Sequence, residues 1–166
     1  AYAVVAAVKG FPAFRSSLRG DDVLRVYDHV ALGIAVALPG DELVTAVVED
    51  ADMLDWQEFA ARCRERIEEA RGGKDQASDA VSISLTIMQS FGLRDAVPVV
   101  VPPSMATLFL GEVYSGLDQA AAEPRLKRHV NLALTFDHRL VNGVGAAQFL
   151  NAVKKNVEEI DRVLAG

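Results

Sequence analysis

Hydrophobic and polar positions alternate along this chain with two distinct periods. Residues 1–9 are apolar and Ala-rich, which predicts a helix, and Gly10, Pro12 and Gly20 then punctuate the chain. Val23–Tyr27 is a short strand. His29–Leu38 is almost continuously apolar, as expected of a strand covered on both faces. Pro39-Gly40-Asp41 marks a turn and Glu42–Glu49 a second strand, so the two form a hairpin. Asp55 precedes Trp56, Gln57 and Glu58, and an acidic cap with Glu at the third helical position is a capping box. The helix it opens runs to about Arg71 and stops at Gly72-Gly73. In Val81–Ile87 the residues Val81, Ile83, Leu85 and Ile87 share one face, and Ser82, Ser84 and Thr86 the other. Val97–Val101 and Met105–Val113 are two further strands, split by Pro102-Pro103. Ser115–Pro124 is a polar, Ala-rich connection, and Arg128–Phe136 a long strand with Val130, Leu132, Leu134 and Phe136 on one face. From Val144 to Leu164, apolar Leu150, Val153, Val157, Ile160 and Leu164 recur at steps of three and four, one face of a helix.

Strands interleaved with two long helices define an α/β or α+β chain, a mixed sheet with helices packed on it. Its 166 residues suit one domain, and no repeat or linker divides them. At 51% hydrophobic and 24% charged, the composition excludes global disorder. No apolar run reaches the length of a membrane span. The net charge of −6 makes non-specific binding to nucleic acid unfavourable. The one cysteine, Cys63, forbids an intrachain disulfide and suits a reducing compartment. It shares a helical stripe with Phe59 and Ile67 and reads as a small core residue. No secretory or transit signal is visible. The chain opens at Ala1 inside a helical pattern, so the protein is expected to extend upstream.

Chemistry has few places to reside. His29, His129 and His138 are the three histidines; no two have metal-ligand spacing, and no cysteine cluster exists. GxGxxG, GxxxxGK[ST] and GxSxG are all absent, so phosphate cradling and a nucleophile elbow have no support. His29 reads as structural and His129, beside Lys127 and Arg128, as solvated. His138 keeps the parity of Leu134 and Phe136 where a strand gives way to a turn. A histidine partly desolvated there suits a general base.

The run Phe136-Asp137-His138-Arg139-Leu140-Val141-Asn142-Gly143, followed by Ala146-Ala147-Gln148-Phe149-Leu150, resembles the FDHRxxDG signature of dihydrolipoamide acyltransferases, the cores of 2-oxo acid dehydrogenase complexes. Phe11-Pro12 through Leu18 is similar to that family's FPxxNxxL segment, Gly33-Ile34-Ala35-Val36 to its GIAV strand, and Glu42–Val48 to its LVxPVI strand. Val81 through Pro102-Pro103 resembles its FTISNLG…TPIINPP region. The likeness runs through the whole chain in order. It implies a chloramphenicol-acetyltransferase-like mixed β-sheet with flanking helices. Residues 1–166 would form the acyltransferase catalytic domain without its upstream part.

The same resemblance implies site roles. His138 is the expected base that takes the proton of a thiol, of coenzyme A or of dihydrolipoamide. Thr86 falls where the family places an oxyanion-binding hydroxyl, and Asn142 where it commonly has the Asp that orients the site. Coenzyme A is the implied substrate, the lipoyl group sits on a separate or upstream domain, and no metal is expected. The acyl group itself stays open, with acetyl the first expectation. The implied partners are lipoyl domains, decarboxylase and dihydrolipoamide dehydrogenase components, and copies of the chain itself: a homotrimer that assembles into a larger core, with His138 of one copy facing Thr86 of the next. No nucleic acid or membrane partner is expected. The implied location is the bacterial cytoplasm or, alternatively, the mitochondrial matrix. Departures from the pattern are Arg15 for Asn, Ala46 for Pro, Asn142 for Asp, and Met88-Gln89-Ser90 without the glycine of SNLG. They keep open a second expectation, a weakly active or inactive paralogue that serves as a structural core component.

Overall fold

The structure is a computed structural model that describes residues 1–20, 23–102, 104–118 and 123–165. Four helices, α1 (Tyr2–Val8), α2 (Trp56–Arg71), α3 (Gly143–Glu158) and α4 (Ile160–Leu164), accompany seven strands. Strands β1 (Ser16–Arg19) and β2 (Val23–Val26) form a separate antiparallel ribbon. The main sheet contains β3 (Ala31–Ala37), β4 (Leu43–Val48), β5 (Val81–Ile87), β6 (Ala106–Leu117) and β7 (Leu126–Phe136). Its order is β4-β3-β5-β6-β7, with β5 parallel to both neighbours and the two outer pairs antiparallel.

One face of this sheet carries the core. Leu32, Ile34 and Val36 of β3, Ile83 and Leu85 of β5, and Ala106 and Leu108 of β6 meet Phe59 of α2 and Phe149 and Val153 of α3. Their burial removes apolar surface from water at roughly 25 cal/mol per Å² and is the main driving force for the fold. Phe14 and Phe149 stack with centroids 3.9 Å apart, which fastens the segment before β1 to α3. The capping box at α2 forms as the sequence predicts: Asp55 Oδ1 accepts from Glu58 N at 2.8 Å, and Glu58 Oε2 accepts from Asp55 N at 3.2 Å. Cys63 is half-buried at the margin of the core, and burial raises its thiol pKa.

The other face is crossed by residues 88–105, which connect β5 to β6, and here the structure departs from the sequence reading. Val97–Val101 is not a strand. It is extended, with Ala96, Pro98 and Val100 half-buried and Val97, Val99 and Val101 at 86%, 76% and 66% exposure. Pro98 and Pro102 have no N–H to give a ladder, and the Val99 carbonyl accepts instead from Thr107 Oγ1 at 3.0 Å. Val81 also moves to this face, beside Ala31 and Val47, because the β3–β5 register shifts between Ala31 and Leu32. Strand β6 extends through Ser115 to Leu117, past the predicted end at Val113, and a bulge between Leu110 and Val113 accommodates it. Strand β1 has no counterpart in the sequence pattern. Pro103 and residues 119–122 of the expected connection lie outside the described residues. No helix among the described residues is long and apolar enough to cross a membrane.

Candidate active site

The chain leaves β7 at Phe136, and Asp137 fixes the turn beyond it. The Asp137 amide donates to the Met105 carbonyl at 2.8 Å, tying the turn to the sheet. Its own carbonyl accepts from Leu140 N at 3.0 Å and Val141 N at 3.3 Å. Its carboxylate accepts from Arg139 N at 3.0 Å and from Arg139 Nη2 at 2.6 Å. Hydrogen bonds from the Arg139 side chain, opposed by partial burial and aided by the Arg139 amide, hold the Asp137 carboxyl below its usual range. Asn142 then caps α3: its Oδ1 accepts from Gly145 N at 2.9 Å. Val141 is buried beneath. The turn is therefore anchored to the sheet at one end and to α3 at the other.

His138 stands at the middle of that turn and is exposed. Strand parity predicts that it aims at the apolar side, but the strand ends two residues earlier and the turn swings the ring outward. It lies 5.6 Å from the Phe136 ring, and neither ring nitrogen is bonded to a described residue.

Thr86 is half-buried on β5, on the face that the helices leave free. It lines a cleft of about 460 Å³ between the β3–β4 hairpin and the 97–102 strap. Ser84, Thr107, Leu43 and Val99 line the same space. Nothing in the sequence pattern marks this strap as part of the site; the valine-rich run Val97–Val101 reads there as a strand. The glycine missing from Met88-Gln89-Ser90 is supplied at Gly92, whose φ of +67° closes the turn after β5.

Within one chain Thr86 and His138 do not meet. Phe136 is opposite Ala106, and Ala106 opposite Ile83. Thr86 lies three residues beyond Ile83 in one direction and His138 two beyond Phe136 in the other, across two strand spacings. At about 3.3 Å per residue and 4.8 Å per strand, that is roughly 19 Å. A larger cleft, about 940 Å³, runs beside β7 and α3 and contains neither residue. His129 borders it and is not solvated as expected: its ring stacks on Tyr114 at 5.6 Å, and its Nε2 is buried without a hydrogen-bond partner among the described residues. His29 is structural, with Nδ1 3.4 Å from Asp52 Oδ2.

A mixed sheet with helices on one face, and a histidine in the turn after its last strand, describes the chloramphenicol acetyltransferase class of fold. A chloramphenicol acetyltransferase superposes with a TM-score of 0.59 over 93% of this chain and 73% of its own, at 17% identity. The chain belongs to the family of 2-oxoacid dehydrogenase acyltransferases (catalytic domain), whose model matches residues 1–165. It is 31% identical over 164 residues to the dihydrolipoyllysine-residue succinyltransferase component of the Haemophilus influenzae 2-oxoglutarate dehydrogenase complex, covering 98% of this chain and 40% of that protein. It is 32% identical to the dihydrolipoyllysine-residue acetyltransferase component of the Bacillus subtilis acetoin cleaving system, covering 95% and 39%. Two solved structures superpose with a TM-score of 0.86 over 98% of this chain. One is the cubic core of a pyruvate dehydrogenase multienzyme complex, at 27% identity over 68% of that chain. The other is the Azotobacter vinelandii dihydrolipoamide acetyltransferase, at 25% identity over 69%, solved to investigate a serine, a histidine and an asparagine in its catalytic mechanism. The chain spans about 40% of the length of these curated relatives.

Proposed function

We propose that this chain transfers an acyl group between dihydrolipoamide and coenzyme A, as the catalytic part of the core component of a 2-oxo acid dehydrogenase complex. The observation that carries the reading is a shared spacing. In the Azotobacter enzyme the serine stands 52 positions before the histidine and the asparagine four after it. Here Thr86 precedes His138 by 138 − 86 = 52, and Asn142 follows it by 142 − 138 = 4. Asn142 therefore has asparagine as its counterpart in a relative, and Gly92 answers the absent glycine near Gln89. Both arguments for an inactive scaffold are weakened.

His138 accepts the proton of the attacking thiol, and the thiolate adds to the thioester carbonyl. The oxygen gains negative charge as the carbon becomes tetrahedral, and the Thr86 hydroxyl donates a hydrogen bond to it. Collapse breaks the bond to the departing sulfur, which takes the proton back from His138. Asn142 contributes by fixing the start of α3 and so the turn that carries His138. Separation of the two groups by roughly 19 Å within a chain requires a second copy to complete the site. We read the assembly as a homotrimer within a larger core, served by lipoyl domains and by decarboxylase and dihydrolipoamide dehydrogenase components, in the bacterial cytoplasm.

The test is acyl transfer from acyl-coenzyme A to dihydrolipoamide, followed by loss of thioester absorbance. His138→Ala is expected to lower kcat by about 100- to 10,000-fold with little change in KM. A wild-type chain without turnover above the uncatalysed rate would instead establish the scaffold reading.

A further inference from the structure

We infer that the cleft beside Thr86 selects an uncharged aliphatic acyl group, acetyl or a short branched chain, and rejects one that ends in a carboxylate. This rests on the proposed transferase reading. If Thr86 donates to the oxyanion, that oxygen sits within a hydrogen bond of Thr86, and the acyl chain on the carbon behind it lies against the walls of this cleft. Sixteen described residues line it, and none is Lys, Arg or His; the one ionisable group among them is Asp75. The Asp75 carboxylate accepts from the amides of Thr45 at 2.9 Å and Ala77 at 3.1 Å, which places a fixed anion at the mouth.

Cations nearby are already engaged elsewhere. Lys74 Nζ bonds Glu69 Oε2 at 3.1 Å, and Arg19 pairs with Asp79. Arg94 pairs with Glu112 at 2.8 Å. A second copy that brings His138 to this cleft brings Arg139 with it, but Arg139 is held by the Asp137 carboxylate beside it. Three of the lining hydroxyls are also engaged within the chain. Thr107 Oγ1 donates to the Val99 carbonyl at 3.0 Å and Ser104 Oγ to the Val81 carbonyl at 3.1 Å, with Ser84 Oγ 3.4 Å from Ser104 Oγ. Leu43, Val99 and Val101 supply apolar wall. A succinyl group would bring its carboxylate, two methylenes beyond the reacting carbon, into a space whose described lining holds an anion and no cation.

The bond changes are those of the transfer itself: the dihydrolipoamide sulfur bonds the acyl carbon, the bond to the coenzyme A sulfur breaks, and the thiol proton passes through His138 to the departing thiolate. Only the acyl group is varied in the test. The full assembly is assayed for kcat/KM with acetyl-, isobutyryl- and succinyl-coenzyme A, with dihydrolipoamide as acceptor. The uncharged donors are expected to exceed succinyl by roughly 100-fold, the scale of leaving a buried charge unpaired. Leu43→Lys and Ser78→Lys, both at exposed rim positions, should each raise the succinyl-to-acetyl ratio by about tenfold, the scale of one charge-assisted hydrogen bond. Succinyl transfer equal to or faster than acetyl transfer in the wild type would overturn this inference and leave the transferase reading intact. Turnover of none of the three thioesters would overturn both.

Discussion

Asp137 and Arg139 close a two-residue loop around His138. The carboxylate of one takes both the backbone amide and the guanidinium of the other, at 3.0 and 2.6 Å. With the Asp137 amide on Met105, this leaves the backbone of His138 little freedom. On the proposed mechanism the pair is a positioning device for the imidazole and does not itself touch the reacting atoms.

Asp137→Asn keeps the shape and removes the charge. We expect kcat to fall about tenfold with KM for acyl-coenzyme A unchanged, the scale of one charge-assisted hydrogen bond. The stability cost should stay below about 1 kcal/mol, because Arg139 is largely exposed and the pair is screened by solvent. Its pH dependence has a defined sign. The folded carboxyl titrates below its unfolded value, so its contribution is complete above about pH 4 and is lost as pH falls through the lower folded value. Urea midpoints of wild type and Asp137→Asn should therefore converge in acid. A difference that grows below about pH 4 would refute the assigned ion pair.

Thr86→Val preserves β-branching and strand packing but deletes the hydroxyl. A loss of about 100-fold or more in kcat is expected, the cost of removing one oxyanion donor. Thr86→Ser should keep most of the activity. If the valine variant equals wild type, the oxyanion donor lies elsewhere.

Asn142 tests whether the cap and the site are coupled. Asn142→Ala removes the bond to Gly145 N and should cost about 1 kcal/mol by thermal unfolding. It should also lower kcat, since the freed first turn of α3 loosens the loop that holds His138. Asn142→Asp keeps an acceptor and adds a charge favoured at a helix N-terminus, so stability and activity should match or exceed wild type. Loss of activity in the Asp variant would mean that the asparagine amide, and not only its oxygen, is needed.

What could be read in advance divides along the range of the forces involved. Asp55, Glu58 and Gly72 mark α2 correctly because a cap is a contact between residues a few positions apart. Leu32, Ile34 and Val36 announce β3 because both faces are apolar. Val97, Val99 and Val101 misled because a valine-rich run records a preference for extended backbone, not whether a neighbouring strand offers a ladder, and Pro98 and Pro102 supply no amide to one. His129 misled for a related reason: its sequence neighbours are charged, but its ring packs on Tyr114 across the strand pair. His138 and Asn142 stood out through the FDHRxxDG-like run, and Thr86 through the likeness of Val81 to Pro102-Pro103 to the family's FTISNLG…TPIINPP region; their roles are the ones proposed above. The Asp137–Arg139 clamp is local but appears only once the chain turns at Asp137, where strand parity carried His138 on as if the strand continued; the cationless lining of the Thr86 cleft depends on residues brought from separate segments of the chain, which no local pattern encodes.

Gly111 probes the segment that leads into the 97–102 strap. A Cβ there would stand against the Arg94 carbonyl oxygen, far inside van der Waals contact, and Glu112 N donates to the Leu93 carbonyl at 2.7 Å across the same contact. Gly111→Ala must push residues 93–95 off the sheet, at a cost of about 1–3 kcal/mol. Because the strap walls the Thr86 cleft, KM for acyl-coenzyme A should rise more than kcat falls. Unchanged urea midpoint and KM would show that the strap is not set by this contact.

Assembly is open to an equally direct test. If His138 and Thr86 act on one carbonyl as proposed, their separation of roughly 19 Å within a chain calls for two chains at each site. Val97, Val99 and Val101 form an exposed apolar row beside the Thr86 cleft, where a second copy would have to bring His138. Light scattering at micromolar concentration should show a trimer or a larger species, and Val97→Asp should shift it toward monomer and remove activity together. Mixing gives a sharper outcome. His138→Ala and Thr86→Val chains are each expected to be nearly inactive alone. Unfolded together and refolded, they should regain about one quarter of wild-type activity, because half of the chains supply the histidine and half of their neighbours supply the threonine. A site contained within one chain would show no recovery, and a clean, fully active monomer would end the shared-site reading.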